Sequence, residues 1–158
     1  MNERRFEKIK HVAHQRQGNL TVVLENVHDS HNIGAVLRTC DAVGIKEVFL
    51  LYTEPRHLKK KLTIGKRTSM GTRKWVDTLF YTDADACFKD VKQKYDLVLA
   101  THLDEYSKSL FEIDFNQSLA LVFGNEAKGI TPITMKHVDG SFNIPQMGMV
   151  ESLNISVA

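Results

Sequence analysis

Residues 141–158, Ser-Phe-Asn-Ile-Pro-Gln-Met-Gly-Met-Val-Glu-Ser-Leu-Asn-Ile-Ser-Val-Ala, carry the pattern that decides the fold. Phe142 and Ile144 indicate a short strand, and Pro145 ends it because proline lacks a backbone donor and disfavours helix at the residue before it. Gly148 allows a turn and a close approach of the backbone to a ligand. The apolar residues that follow predict a helix from around Ser152.

Two other strand-like runs end in loops that suit a ligand. One run covers 95–101 and is followed by His102, and the other covers 119–124 and is followed by Asn125 and Glu126. The carboxyl ends of parallel strands meet at one edge of a sheet, and open α/β sheets bind ligands in the crevice at that edge. The sequence therefore predicts one crevice formed by three strand ends.

The rest of the chain alternates helices with strands. Helices are predicted over 4–16, about 34–43, 83–94 and 131–137, and strands over 20–25, 47–52 and 75–81, while 103–117 is irregular. The first two helices are expected to pack through Phe6, Ile9 and Ala13, and through Ile33, Leu37 and Cys40. With no repeat or linker, the expectation is one α/β domain over 1–158, with a mainly parallel sheet flanked by helices and an N-terminal helix within 1–18.

Composition favours an ordinary globular protein. Hydrophobic residues make up 42% and charged residues 25% of the 158 residues, which is typical of soluble domains. The N-terminus does not resemble a signal peptide, and no apolar run reaches the roughly 18 residues that span a bilayer. We therefore expect a cytoplasmic protein in which Cys40 and Cys87 are reduced and buried.

Positive charge is concentrated in one segment. The net charge is only +2, yet residues 56–74 contain eight basic residues and no acidic residue. Such a block repels itself unless a polyanion faces it, so it favours RNA binding over the alternative of a solvated basic loop. The glycines at 65 and 71 suit a phosphate-contacting loop. The candidate RNA-binding residues are Arg56, Lys59, Lys60, Lys61, Lys66, Arg67, Arg73 and Lys74.

Arg38 is the first candidate for chemistry. Helical side chains lean toward the N-terminus, so Arg38 should lie over Gly34, which leaves space for an anion. That anion would meet the guanidinium and the free amides of the helix start. The alternative for Arg38 is a surface arginine without a functional role. Asn32 lies just before the predicted helix, and for this residue a simple helix cap or a loop anchor is the alternative to a catalytic role.

Several enzyme classes are disfavoured. Residues 124–129, Gly-Asn-Glu-Ala-Lys-Gly, match neither the dinucleotide-binding nor the phosphate-loop glycine pattern. A serine nucleophile elbow is missing from the sequence. His28 and His31 do not belong to a convincing zinc spacing, so no metal site is expected.

Three segments, taken together, resemble a known family. Residues 25–44, 121–130 and 144–158 resemble, in this order, the three motifs of SPOUT superfamily RNA 2′-O-methyltransferases of the SpoU/TrmH branch. Residues 5–22 and 74–76 are similar to the tRNA guanosine 2′-O-methyltransferases, which methylate a guanosine ribose in the D-loop. The resemblance implies a deep trefoil knot over about 95–158, a homodimer with an active site completed across the interface, and S-adenosylmethionine as methyl donor. By motif position, the cofactor contacts would be Thr101, Leu103, Gly124, Ile144, Met149 and Leu153.

The resemblance also implies catalytic residues. Arg38 matches the family's catalytic position, supported by Asn32, Glu126, Ser152 and Asn154. An arginine is a poor general base, because its pKa ordinarily exceeds about 12. Two roles stay open for Arg38: a base assisted by a substrate phosphate, or a group that binds the phosphate and orients the hydroxyl.

The expected function is S-adenosylmethionine-dependent methylation of a guanosine ribose in the tRNA D-loop. The alternatives are an rRNA 2′-O-methyltransferase and a non-catalytic knotted RNA-binding factor. Family members continue beyond the Ser-Val-Ala segment as a long helix, whereas this sequence stops at Ala158. That helix is therefore expected to be missing or truncated, which would weaken cofactor binding and dimerisation.

Overall fold

A computed structural model describes residues 2–54, 75–149 and 152–158. The helices are α1 (Glu3–His14), α2 (Ser30–Ala42), α3 (Ala84–Lys94) and α4 (Pro132–Met135), with a 3₁₀ turn at Leu110–Glu112. The strands are β1 (Leu20–Glu25), β2 (Glu47–Leu51), β3 (Asp77–Tyr81), β4 (Leu97–Thr101), β5 (Lys108–Ser109), β6 (Leu119–Phe123) and β7 (Gly140–Asn143). The predicted α/β class is confirmed.

These strands form one sheet in the order β3-β2-β1-β6-β4-β7-β5. Within the described residues, every pairing between these strands is parallel. The last strand, β7, lies between β4 and β5, although both precede it in sequence. The carboxyl ends of β6, β4 and β7 therefore lie side by side at one edge of the sheet, as the sequence predicts.

Helices cover both faces of the sheet because successive strand residues point to opposite sides. Val22 and Leu24 of β1 pack with Ile33, Leu37 and Cys40 of α2. Val23 faces the other way and packs with Ala84, Cys87, Phe88 and Val91 of α3. Both cysteines are buried free thiols, as expected.

Two helix predictions require correction. The helix α2 begins at Ser30, where the side chain of Asp29 caps it, so Asn32 lies in its first turn instead of before it. Gly34 is consequently a buried helical residue, and the free amides proposed to meet an anion beside it are not there. The stripe predicted for α1 is correct only at Ile9, which is half-buried together with Val12; Phe6 is 51% exposed and Ala13 is exposed.

The end of the chain also differs from the prediction. No helix forms around Ser152 within the described residues; a single turn starts at Asn154, whose side-chain oxygen accepts hydrogen bonds from the backbone N and hydroxyl of Ser156. The irregular segment contains the short edge strand β5. The predicted RNA-binding residues of 56–74 lie outside the described residues.

Among the helices that the structure describes, none is long and apolar enough to cross a lipid bilayer.

Candidate active site

A pocket of about 310 Å³ lies at the carboxyl ends of β6, β4 and β7. Five of the six predicted cofactor contacts line it, namely Thr101, Leu103, Gly124, Ile144 and Leu153. Phe123 and Phe142 supply further apolar wall, and their rings meet edge to face with centroids 6.1 Å apart. The sixth, Met149, is 99% exposed and does not belong to the lining.

Two glycines close the loop that forms one wall of this pocket. A Cβ atom at Gly124 would lie 2.3 Å from the carbonyl of Gly129, so no larger residue fits without movement of the backbone. Gly129 itself has a φ of +68°, in the left-handed region that favours glycine. Its amide donates to the carbonyl oxygen of Asn125 at 2.7 Å. The loop therefore folds back tightly after β6.

Three of the predicted catalytic residues form one hydrogen-bonded set. Asn32 donates from its side-chain nitrogen to Oε1 of Glu126 at 2.6 Å, and its side-chain oxygen accepts from Nδ2 of Asn154 at 3.1 Å. Asn32 is separated from each of the other two by more than 90 positions in the chain. Glu126 also lines the strand-end pocket. The set thus joins the first turn of α2 to the pocket.

The other two predicted catalytic residues lie in different places. Ser152 lines the pocket. Arg38 is exposed on α2 and does not belong to the lining. Its side chain forms no hydrogen bond or ion pair with the residues that the structure describes. Within one chain, therefore, Arg38 is not brought into the pocket, and its guanidinium charge is available to a ligand.

Glu25 connects the end of β1 to the residues that follow the pocket loop, a role that the sequence analysis missed. Its side chain is fully buried (0% exposed). It accepts hydrogen bonds from the backbone N of Thr131 at 2.9 Å, from the hydroxyl of Thr134 at 2.8 Å, and from the hydroxyl of Thr131. A buried polar group needs such partners. The end of β1 is thereby fastened to the start of α4, next to the pocket loop.

Asn26 and Asn125 brace the same region and were also missed. Asn26 has a φ of 54°, and its side chain bonds to the backbone N and hydroxyl of Thr53 at 3.0 and 2.9 Å. Asn125 donates from Nδ2 to the carbonyl oxygen of Asn26 at 3.0 Å. Asn26 directly follows β1, and Asn125 is separated from the end of β6 by Gly124 alone. That position, together with the tolerance of asparagine for the left-handed region, was the available signal.

The chain between β4 and β5 crosses the end of β7. The amide of His102 donates to the carbonyl oxygen of Phe142 at 3.1 Å, and the hydroxyl of Ser107 lies 3.0 Å from that of Ser141. Partial desolvation of Asp104 is outweighed by hydrogen bonds from the Ser107 hydroxyl, a backbone amide and the Ser141 hydroxyl, which together lower the pKa of its carboxyl group. This crossing fixes the rim of the pocket.

Comparison with known proteins agrees with this geometry. Residues 19–158 match the SpoU rRNA Methylase family. A protein of Thermus thermophilus named tRNA (guanosine(18)-2′-O)-methyltransferase is 38% identical over 156 residues, which cover 99% of this chain and 78% of that protein. The solved structure of the Aquifex aeolicus TrmH/SpoU tRNA modifying enzyme has a TM-score of 0.85 and 33% identity, covering 98% of this chain and 77% of that one. The AdoMet-bound rRNA methyltransferase of Sinorhizobium meliloti has a TM-score of 0.75 and 26% identity, covering 90% of this chain and 53% of that one. The chain therefore belongs to the SpoU rRNA Methylase family.

Proposed function

We propose that this cytoplasmic protein transfers a methyl group from S-adenosylmethionine to the ribose 2′-hydroxyl of a guanosine in the tRNA D-loop. The observation that carries the proposal is the set of hydrogen bonds joining Asn32, Glu126 and Asn154 beside the strand-end pocket. The name of the Thermus thermophilus relative, which matches 99% of this chain, supports a tRNA guanosine as the substrate.

The pocket suits S-adenosylmethionine in size and in chemistry. Its volume of about 310 Å³ falls at the lower end of the range of small-molecule sites. Leu103, Ile144 and Leu153 offer apolar walls to an adenine ring, and Gly124 lets backbone groups approach its polar edge. When bound, the cofactor supplies an electrophilic methyl group on its sulfonium. Met149 remains a predicted contact.

Arg38 is assigned to holding the RNA substrate. An exposed guanidinium without an ion pair to a described residue can form two parallel hydrogen bonds with a phosphate. Such a contact orients the neighbouring ribose, and orientation contributes a large part of many rate enhancements. Asn32, which is bonded to Glu126, and Asn154, which is bonded to Asn32, would present their side-chain amides to the ribose. Ser152 would present its hydroxyl from the pocket wall.

The topology supports the proposed trefoil knot. The chain between β4 and β5 passes over the carboxyl end of β7, which lies between these two strands. Knots are rare in proteins, so the proposal of a knot rests on the family membership together with this strand order.

Homodimerisation is proposed from the exposed apolar side chains near the pocket. Large hydrophobic residues exposed by more than 80% lie in the segments after β4, β5 and β7: Leu103, Tyr106, Phe111, Met147 and Met149. Exposed apolar patches commonly mark protein interfaces. A partner subunit seated here would also allow its own Arg38 to approach the pocket. The basic residues of 56–74 are proposed to contact RNA phosphates, which makes binding strongly dependent on salt.

The test is to incubate the full chain with total tRNA or total rRNA and a methyl-labelled donor, and to map methylated riboses by mass spectrometry. We expect label on a D-loop guanosine. Label on rRNA alone would favour the rRNA methyltransferase, an alternative supported by the rRNA substrate in the name of the Sinorhizobium meliloti relative. Absence of methylation would favour the RNA-binding factor. Arg38→Ala should lower turnover about 100-fold, and Arg38→Lys, which keeps the charge but loses the planar fork, should fall between.

A further inference from the structure

A second pocket, of about 430 Å³, lies between α1, α2 and the start of β3. It is distinct from the strand-end pocket, because the two share no lining residue. The residues that line it combine apolar surface, positive charge and one carboxylate: Arg5, Lys8, Ile9, Val12, Asp41 and Trp75. We call it the α1 cleft.

Hydrogen bonds and a close backbone contact join the end of the α1 segment to the end of the α2 segment beside the α1 cleft. Arg16, just beyond α1, donates to the carbonyl oxygen of Ile45 at 2.9 Å and forms an ion pair with Asp41 at 2.7 Å. Gly44 has a φ of +84°, and a Cβ atom there would lie 2.6 Å from the carbonyl oxygen of Gln15. The residues just after α1 therefore contact Asp41 of α2 and the residues just after α2.

Trp75 presents an aromatic ring to the cleft on a rigid support. The residue is 43% exposed, whereas its neighbour Val76 is buried in the core. The next residue, Asp77, donates its amide to the carbonyl oxygen of Lys46 at 2.9 Å as β3 begins. A partly exposed aromatic ring, on backbone that leads directly into the sheet, can serve as a platform on which a nucleobase stacks.

The charges of the cleft match a nucleotide. The side chains of Arg5 and Lys8 form no ion pair with residues in the described ranges, so both cations are free to meet a phosphate. Asp41, whose charge is offset by Arg16, offers an acceptor for the amino or imino groups of a base edge. Ile9 and Val12 form an apolar wall of the cleft.

We propose that the α1 cleft is an RNA subsite, in which one nucleobase stacks on Trp75 while its phosphate contacts Arg5 and Lys8. The inference rests on the proposed function and extends it, because the cleft adjoins Arg38. Asp41 follows Arg38 by three residues on α2, so their Cβ atoms are separated by about 5–6 Å. An RNA strand whose phosphate is bound by Arg38 can place an adjacent nucleotide in the cleft of the same subunit.

The sequence contains one tryptophan, so the fluorescence of the full-length protein reports on this cleft without any substitution. A tRNA transcript and a short single-stranded oligoribonucleotide are titrated into the protein, with excitation at the red edge of indole absorption. We expect saturable quenching of the Trp75 emission by both RNAs, and none by inorganic phosphate at the same concentration. Unchanged emission at RNA concentrations that saturate binding, measured by anisotropy of labelled RNA, would overturn the proposal.

Substitutions separate stacking from general surface contact. Trp75→Leu should raise the Kd for tRNA about tenfold or more, because the stacking interaction between the base and the indole ring is lost. Trp75→Phe should change this Kd by less than about threefold, since an aromatic ring remains. Lys8→Ala should raise the Kd and reduce its salt dependence. In methylation assays the Trp75→Leu defect should fall on KM for tRNA and not on KM for the methyl donor.

Matched controls are Phe6→Leu, an exposed aromatic residue of α1 outside the cleft lining, and Lys89→Ala on α3. Equal weakening by either control would overturn the proposal in favour of a diffuse basic surface. Emission that changes with protein concentration but not with RNA would instead make the cleft an interface between copies. If the wild-type protein bound RNA with Trp75 quenching but methylated nothing, the proposed function would fail and the subsite would stand.

Discussion

Substitution of Gly124 by alanine forces a measurable shift of the pocket wall. The added Cβ atom would lie 2.3 Å from both the carbonyl carbon and the oxygen of Gly129, and 2.6 Å from the nitrogen of Ile130. Since Cβ contacts shorter than 3.0 Å essentially do not occur, the backbone at Gly129 has to move by about 0.7 Å. The atoms of Gly129 that the new Cβ would meet belong to the main chain, which the hydrogen bond to Asn125 holds in place. A rotation of a side chain therefore cannot relieve the clash.

Both glycines line the strand-end pocket, so this movement displaces groups that would contact the cofactor. A misplacement approaching 1 Å at a binding site can reduce function about 100-fold, which corresponds to about 2.7 kcal/mol. We therefore expect Gly124→Ala to raise the Kd for S-adenosylmethionine about 100-fold in isothermal titration calorimetry. Urea denaturation, followed by circular dichroism, would show whether the free energy of unfolding falls at the same time.

Gly18, away from the pocket, provides a matched control, and Gly129 provides a comparison within the pocket. At Gly18 an added Cβ meets nothing within 4 Å, so Gly18→Ala should leave the Kd unchanged. At Gly129 there is also free space, but the φ of +68° is unfavourable for alanine, and Gly129→Ala should cost about 1–2 kcal/mol of stability. A wild-type Kd for Gly124→Ala, or an equal loss in Gly18→Ala, would refute the reasoning.

Three further predictions follow from buried and bridging groups. Glu25→Ala removes the acceptor of four hydrogen bonds, of which the one from Thr53 is long at 3.5 Å, and should lower the free energy of unfolding in urea by about 2–4 kcal/mol. Glu25→Gln should recover most of this loss, because threonine hydroxyls can also accept a hydrogen bond from the new amide. A loss below about 1 kcal/mol in Glu25→Ala would contradict the assigned role. Asn32→Ala disconnects Glu126 from Asn154 and should slow tRNA methylation about tenfold or more with an unchanged circular dichroism spectrum; a normal rate would remove this residue from the site. Burial raises the pKa of Cys40 and of Cys87 from 9.0 to about 12, so the folded state favours the neutral thiols, and their contribution to stability is complete below about pH 9 and is lost between about pH 9 and 12. Iodoacetamide at pH 8 should accordingly label both thiols in urea and neither in the native protein, and rapid native labelling would show that they are accessible.

The central strands could be predicted from sequence because a strand buried on both faces requires a nearly continuous apolar run. The runs at 20–25, 47–52 and 119–124 each correspond to a strand within one residue at either end. Their parallel pairing then placed the ends of β4, β6 and β7 at one edge. The location of the pocket follows from topology alone, without knowledge of any side-chain contact.

The errors arose from a helix cap that was not recognised and from a helix whose inner side carries charged residues. The polar residues Ser30, His31 and Asn32 read as a loop, yet Asp29 caps the helix one turn earlier than Gly34. In α1 the apolar periodicity pointed to Phe6 and Ala13 as well as Ile9, whereas of these only Ile9 lines the cleft, together with the charged residues Arg5 and Lys8. Long charged side chains can cover apolar surface along their stems, so hydrophobicity alone does not identify the side of such a helix that faces the domain.

The order of strands in the sheet makes slow folding the expected behaviour of this chain. Leu20 pairs with Leu119 in the central β1–β6 ladder, so segments nearly 100 residues apart have to meet before this ladder can form. The strand β7 pairs with β4 and β5, which both precede it, and these pairings also join residues more than 30 positions apart. Chains with so many non-local pairings pay loop-closure entropy early and expose apolar strands meanwhile. Refolding from urea should therefore be slow, with a yield that declines as protein concentration rises.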